Sequence, residues 1–256
     1  MPTPFMHLDF AERIRTHSRL DDATRSLITQ ELPAFYLGNV AADYQTICDI
    51  PREKTHFYDV PPTPDHQAHQ VMLACYPELA QAARLPAGQA VFVAGYCFHL
   101  IQDLVWYWQV LMPYFLQAEG WPAEARVRFV SHNTLLTYLD QEARRALPAT
   151  AGTTLAAAES HHWLPFAADA DVHRWRDLLA RQLLPGGTSQ TILIYARRLG
   201  MTPAGFAANL QNPTWMHEQV FHRAPLAQVQ AALDEGIDQA ASFVADYLAA
   251  LAHRQP

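Results

Sequence analysis

The chain has 256 residues, half of them hydrophobic and 17% charged, a composition that excludes intrinsic disorder. That length can bury a large core as one domain. A net charge of -7 offers no basic surface for gathering nucleic acid by counterion release, so a nucleic-acid partner is disfavoured.

The start of the chain, Met1-Pro2-Thr3-Pro4-Phe5, has no basic n-region and no apolar h-region, so the expectation is a cytoplasmic protein without a signal peptide. Apolar periodicity predicts short helices over 10–16 and 21–31, the second with Asp21 and Asp22 where an N-cap belongs. Residues 33–45 are apolar, with a Gly38-Asn39 break and then a single carboxylate, Asp43. Pro51, Pro61, Pro62 and Pro64 mark 50–64 as a loop. Helical patterns then cover 65–84, 87–116, 123–147, 153–161, 170–184, 189–199, 203–210 and 225–253. No segment alternates as a strand between hairpin turns. The expectation is an all-α protein with a single multi-helix domain. Residues 1–147 would carry the metal-site part and 148–256 a helical C-terminal part, a candidate cap. The Leu184-Pro185-Gly186-Gly187-Thr188 break is the best candidate boundary, though composition does not shift across it.

The run from Val91 to Leu116 is hydrophobic nearly all round, the pattern of a buried helix, and it is long enough to span a bilayer. His99, Gln102, Asp103 and Gln109 fall near its middle. A carboxylate there costs roughly 2.5–3.5 kcal/mol in lipid, so the run reads as a core helix. His99 and Asp103 are four residues apart and share one helix face. Burying both costs several kcal/mol unless something pairs with them, and a metal ion is one such partner. A hydrolytic zinc takes three or four nitrogen or oxygen ligands at about 2 Å. Asp43 and His56, on or beside loops, could complete a four-ligand site, and His7 is a fifth candidate. Thirteen histidines in the chain fit such chemistry. Spacing alone leaves a second reading open, a hydrogen-bonded His99–Asp103 pair in the core with the other groups on the surface.

Four motifs in order resemble one family. They are His7-Leu8, the apolar segment ending in Asp43, His56-Phe57-Tyr58-Asp59, and Gly95-x3-His99-x3-Asp103. Together they resemble the zinc-dependent phospholipases C, which include secreted bacterial lecithinases, in a superfamily extending to fungal single-strand nucleases. The resemblance covers roughly residues 4–145, and His-x3-Asp in an apolar helix is its most specific part. It implies one zinc on Asp43, His56, His99 and Asp103, with Asp103 bridging to a second zinc held by His7. In that family the second metal also takes the free α-amino group of the processed N-terminus. The family's remaining zinc uses a histidine six residues after the helix aspartate and then a His-x3-Glu pair. Here Gln109 stands at the first position and Leu136 follows His132. His132 is kept as a candidate ligand, with Asp140 a weaker one, and the implied centre has one or two zinc ions, the third site lost. The implied activity is phosphodiester hydrolysis by metal-bound water, Asp43 serving as ligand and proton acceptor, on a phospholipid or another small phosphodiester. The alternative is a catalytically reduced member with a structural metal, acting as a binding protein.

The remaining candidates are weaker. His66 and His69 share a face of a helix turn expected to be exposed, and His161-His162-Trp163 reads as a loop. Trp106-Tyr107-Trp108 reads as core packing. Cys48, Cys75 and Cys97 have no close spacing, imply no disulfide framework and read as small buried thiols.

Overall fold

The computed structural model describes residues 1–122 and 124–253, and among them every regular element is helical, as expected of an all-α single domain. Ala123 and the last three residues of the expected C-terminal part lie outside the described residues. The long elements are α1 (Pro4–Ile14), α2 (Asp22–Gln30) and α3 (Leu32–Ala41), then, after a one-turn α4 (Glu53–His56), α5 (Ala68–Cys75) and α6 (Ala87–Trp106). They continue as α7 (Ala125–Ala146), α8 (Ala151–Ala156), α9 (Asp169–Leu183), α10 (Thr191–Arg198), α11 (Pro203–Gln211), the short α12 (Pro213–Met216) and α13 (Leu226–Ala252).

Caps set several boundaries that apolar periodicity misplaces. Thr3 accepts the Met6 amide and Pro4 opens α1, so this helix starts six residues before the expected 10–16 and contains His7. Asp21 caps α2 by accepting the Thr24 amide at 2.8 Å, close to expectation. The proline-rich 50–64 segment is not all loop, because α4 forms one turn within it. The expected 65–84 helix is α5 followed by 3-10 turns at Pro77–Leu79 and Ala82–Arg84.

α6 is the axis of the molecule and is buried without a break from Ala90 to Trp106. It packs between α3 and α13. Gly38-Asn39 is not a break: α3 runs through it because Gly38 is where the two helices touch. A Cβ on Gly38 would overlap the Phe92 carbonyl oxygen, and one on Gly95 would lie 2.6 Å from the Phe35 carbonyl oxygen. Small residues on both helices thus bring backbone against backbone. Past Trp106 the helix widens into π-helical turns over Tyr107–Leu116, which accommodate Pro113 and its missing N–H. Ala87–Leu116 is long and apolar enough to cross a membrane, and here its most apolar 18-residue window is buried inside the protein.

One contiguous hydrophobic cluster extends from Phe5 to Ala252, on both sides of the Leu184–Thr188 turn. Cys97 is buried as expected, whereas Cys75 is exposed because α5 ends there at the surface. His69 is buried against Phe243 rather than exposed, with ring centroids 4.9 Å apart.

Candidate metal centre

Four segments deliver polar side chains to one point inside this apolar frame. α6 supplies His99 and Asp103 one turn apart, 0% and 1% exposed. α1 supplies His7 and α4 supplies His56, each 0% exposed. The 3-10 turn Ala42–Ile47 that follows α3 supplies Asp43, whose side chain is 19% exposed. Two triads of donor atoms result, His7–His99–Asp103 and Asp43–His56–His99, either of which could hold a metal ion.

The hydrogen bonds around the imidazoles decide which nitrogens are free. His99 Nδ1 lies 2.8 Å from the Asn39 carbonyl oxygen, which can only accept, so Nδ1 carries the proton and Nε2 a lone pair. The Thr55 hydroxyl donates to the Arg52 carbonyl at 3.1 Å and therefore accepts from His56 Nδ1 at 2.8 Å. His56 Nε2 is thus bare as well. These are the outer partners that orient metal-binding histidines. The two bare nitrogens face each other 3.4 Å apart. His56 Nε2 also lies 3.4 Å from Asp43 Oδ1 and 3.6 Å from Asp103 Oδ2, while His99 Nε2 lies 3.8 Å from the same Asp103 oxygen. Tetrahedral zinc with bonds of about 2.0–2.1 Å sets its ligand atoms about 3.4 Å apart. The two facing Nε2 lone pairs and the Asp43 oxygen beside them repel one another unless a cation or a shared proton lies among them, while Asp103 Oδ2 is also met by the Arg52 guanidinium.

The other Asp103 oxygen faces His7, Oδ1 to Nε2 at 3.5 Å. Both His7 nitrogens and Asp103 Oδ1 are buried without a hydrogen-bond partner. The His7 ring stacks on that of His99, centroids 3.8 Å apart. Orphaned polar atoms at this depth are rare, and a second cation between them would satisfy His7 Nε2 and Asp103 Oδ1.

Charge states follow from burial and neighbours. Burial pushes the Asp103 carboxyl up, but His99, His7, Arg52 and His56 outweigh it and hold the group well below the ordinary range. Burial likewise raises Asp43, yet in the metal-free centre, where a proton on the facing His56 and His99 imidazoles takes the place of the ion, those rings hold it at about 2. Both are carboxylates at neutral pH. Burial first, then His99, pushes His7 down to about 4, and burial also lowers His56.

A pH dependence follows for the metal-free protein. The unfolded chain protonates His7 near 6.5, whereas the folded one resists until about 4. The unfolded state then binds more protons in that window, so stability rises with pH from about 4 to 6.5 and is lost on acidification through it. His69, also lowered to about 4 by burial, acts in the same direction. A shift of this size in the fully buried His7 corresponds to about 3 kcal/mol. Urea melts of chelated protein at several pH values should show the decline above pH 4, and a flat profile there would contradict the burial of a neutral His7.

The structure does not bring His132 into the cluster. Its Nε2 accepts Trp106 Nε1–H at 3.1 Å, so the ring nitrogen that a ligand would use is already committed to an indole. Asp140 is held by Thr191 Oγ1 at 2.8 Å. Neither Arg52 nor a role for Tyr58 is reached from the sequence. Arg52 opens α4 one turn before His56, donating from Nη2 to Asp103 Oδ2 at 2.5 Å and to Tyr58 Oη at 2.7 Å. Tyr58 Oη in turn donates to Asp103 Oδ2 at 3.0 Å. Phe57 ends α4 in the left-handed conformation (φ 59°), unusual for a bulky residue. The Phe166 and Tyr76 rings hold it there, so that His56 and Tyr58, on either side of it, both reach Asp103.

A cavity of about 250 Å³ opens on the Asp43 side, with Asp43 and Arg52 in its lining. Pro4, Phe5 and Leu136 form part of its wall, and Leu178, Leu179 and Ile194 of the C-terminal helices form another. No family model, curated protein or solved structure matches the chain.

Proposed function

We propose that this protein is a zinc-dependent phosphodiester hydrolase of the phospholipase C kind, acting on a phospholipid or another small phosphodiester. One observation carries the reading: the Nε2 atoms of His56 and His99 converge with the carboxylates of Asp43 and Asp103 at 3.4–3.8 Å, beside a cavity that Asp43 lines. His56, His99 and Asp103 are the three buried ligands, and His7 with Asp103 would hold a second ion. A zinc ion bound there supplies Lewis acidity and lowers the pKa of a coordinated water toward about 7. Asp43 is the partly exposed member and lines the cavity, so its carboxylate oxygen is the one placed to take a proton from water entering on that side. The apolar wall formed by Phe5, Leu136, Leu178 and Ile194 suits the apolar part of a substrate and excludes bulk water.

A second reading is supported by the donor count. Four protein ligands are what a closed structural zinc uses, whereas catalytic sites commonly keep three and an open position. Leu136 and Gln109, where the resembled family has further ligands, favour the same reading, a catalytically reduced binding protein. The experiment that separates them is metal removal. Under the first reading the purified protein contains one or two zinc ions per chain, chelation abolishes hydrolysis of bis(p-nitrophenyl) phosphate, and added zinc restores it. Zinc without hydrolysis would leave the structural reading, and protein free of zinc would end both.

A further inference from the structure

The net charge of -7 is unevenly spread. No Asp or Glu stands between Asp177 and Glu218, and none stands in α7 before Asp140. Glu124, just ahead of α7, is the nearest acid in sequence. Elsewhere surface arginines are neutralised: Arg13, Arg19, Arg145 and Arg174 each meet a carboxylate. Exposed Arg126, Arg197 and Arg198 have no carboxylate partner among the described residues. We propose that this face of α7 and α10 docks the protein on an anionic phospholipid bilayer. The inference rests on the phospholipid reading above and names the form in which that substrate is met.

Geometry ties the face to the cavity. Arg126, Phe129 and Asn133 share one side of α7 and line an open groove with Arg198 and Leu199. Asn133 and Arg198 also line the cavity that Asp43 lines, so groove and cavity open side by side. Phe129 is 45% exposed, and Leu193, one turn before Arg197 on α10, is 54% exposed.

A solitary exposed phenylalanine is ordinary on a protein surface. Phe129 is set apart by its neighbours, because it stands in a groove with unpaired guanidinium groups at the edge of an apolar-walled cavity. On a bilayer its ring enters the acyl boundary while the arginines meet lipid phosphates, and both contacts form at once. Leu136, Leu178 and Ile194 continue the apolar surface into the cavity, a continuation that suits acyl chains rather than nucleotides. Docking there brings the cavity to the lipid without a water gap to cross.

The test is cosedimentation of the full chain as purified with vesicles of equal parts phosphatidylcholine and phosphatidylserine, repeated in chelator so that no lipid is consumed. Binding is expected, and it should fall about tenfold with phosphatidylcholine alone and weaken with added salt. Phe129→Ser is expected to lose about tenfold or more in vesicle affinity, and Arg126→Gln about fivefold. Neither side chain lines the cavity beside Asp43, so both variants should keep the parent's zinc content and its hydrolysis of bis(p-nitrophenyl) phosphate. Leu193→Ser serves in place of Phe129→Ser if that variant does not fold. Parental vesicle affinity in the folded variants, or no vesicle binding by the parent, overturns the proposal. So does binding of a single-stranded oligonucleotide in place of vesicles, or a dimer that Phe129→Ser dissociates, since each assigns the face to another occupant. Hydrolysis of the soluble diester without vesicle binding defeats the docking alone, whereas vesicle binding without zinc or hydrolysis defeats the hydrolase reading.

Discussion

His99→Ala is expected to lower zinc affinity more than 100-fold, beyond the 10–100-fold typical of losing an outer hydrogen-bond partner. The argument rests on the place of His99 in both donor triads, so its removal damages both candidate positions at once. It also leaves the Asn39 carbonyl without its partner and His7 without the ring it stacks on. Zinc content by elemental analysis and affinity by competition with a chromophoric chelator give the measurement. If the metal is catalytic, the variant stays folded and melts within a few degrees of the chelated parent. Wholesale unfolding would instead make the ion a structural element. An unchanged affinity would mean that the facing imidazoles are not ligands.

Gly38→Ala is expected to destabilise the protein by about 3 kcal/mol or more, because overpacking into backbone cannot be relieved by a side-chain rotation. The added methyl would collide with the Phe92 carbonyl oxygen inside α6. At this chain length that loss corresponds to a melting temperature lower by roughly 6–12 °C. The same change on an open helix face would stabilise, since alanine is the better helix former by about 1 kcal/mol. The sign therefore reports the helix approach directly. A second consequence reaches the centre: Asn39, the next residue, supplies the carbonyl that fixes the His99 ring. Zinc affinity should therefore fall although no ligand has changed. A variant as stable as the parent would mean that α3 and α6 do not approach this closely.

What the sequence made legible is what periodicity and composition encode. The uniform apolarity of 91–116 announced a core helix, and His99 with Asp103 stood out because polar groups there need partners. His7, Asp43 and His56 could be named as candidate ligands by residue type, but only motif order singled them out, since nothing local to them says that three separate segments meet. The approach of α3 to α6 was misread for a related reason. Gly38-Asn39 looks like a break by propensity, and only the neighbouring helix reveals why a glycine belongs there. Arg52 left no pattern, being one arginine in a proline-rich stretch. Its role depends on a one-turn helix too short to register in any periodicity. His132 shows the opposite error: a histidine at a suggestive position whose nitrogen an indole had already claimed.

The complete enclosure of α6 also bears on how fast different parts of the centre exchange with their surroundings. Amides sealed between α3 and α13 exchange with deuterium only when the whole molecule opens, so the backbone carrying His99 and Asp103 belongs to the slowest class. α4 is a single turn in a proline-rich segment with many exposed residues, and such chain opens at little cost. The cluster therefore has one rigid half and one half that yields. An ion entering or leaving would pass by transient lifting of His56, Arg52 and Tyr58, leaving the central helix closed.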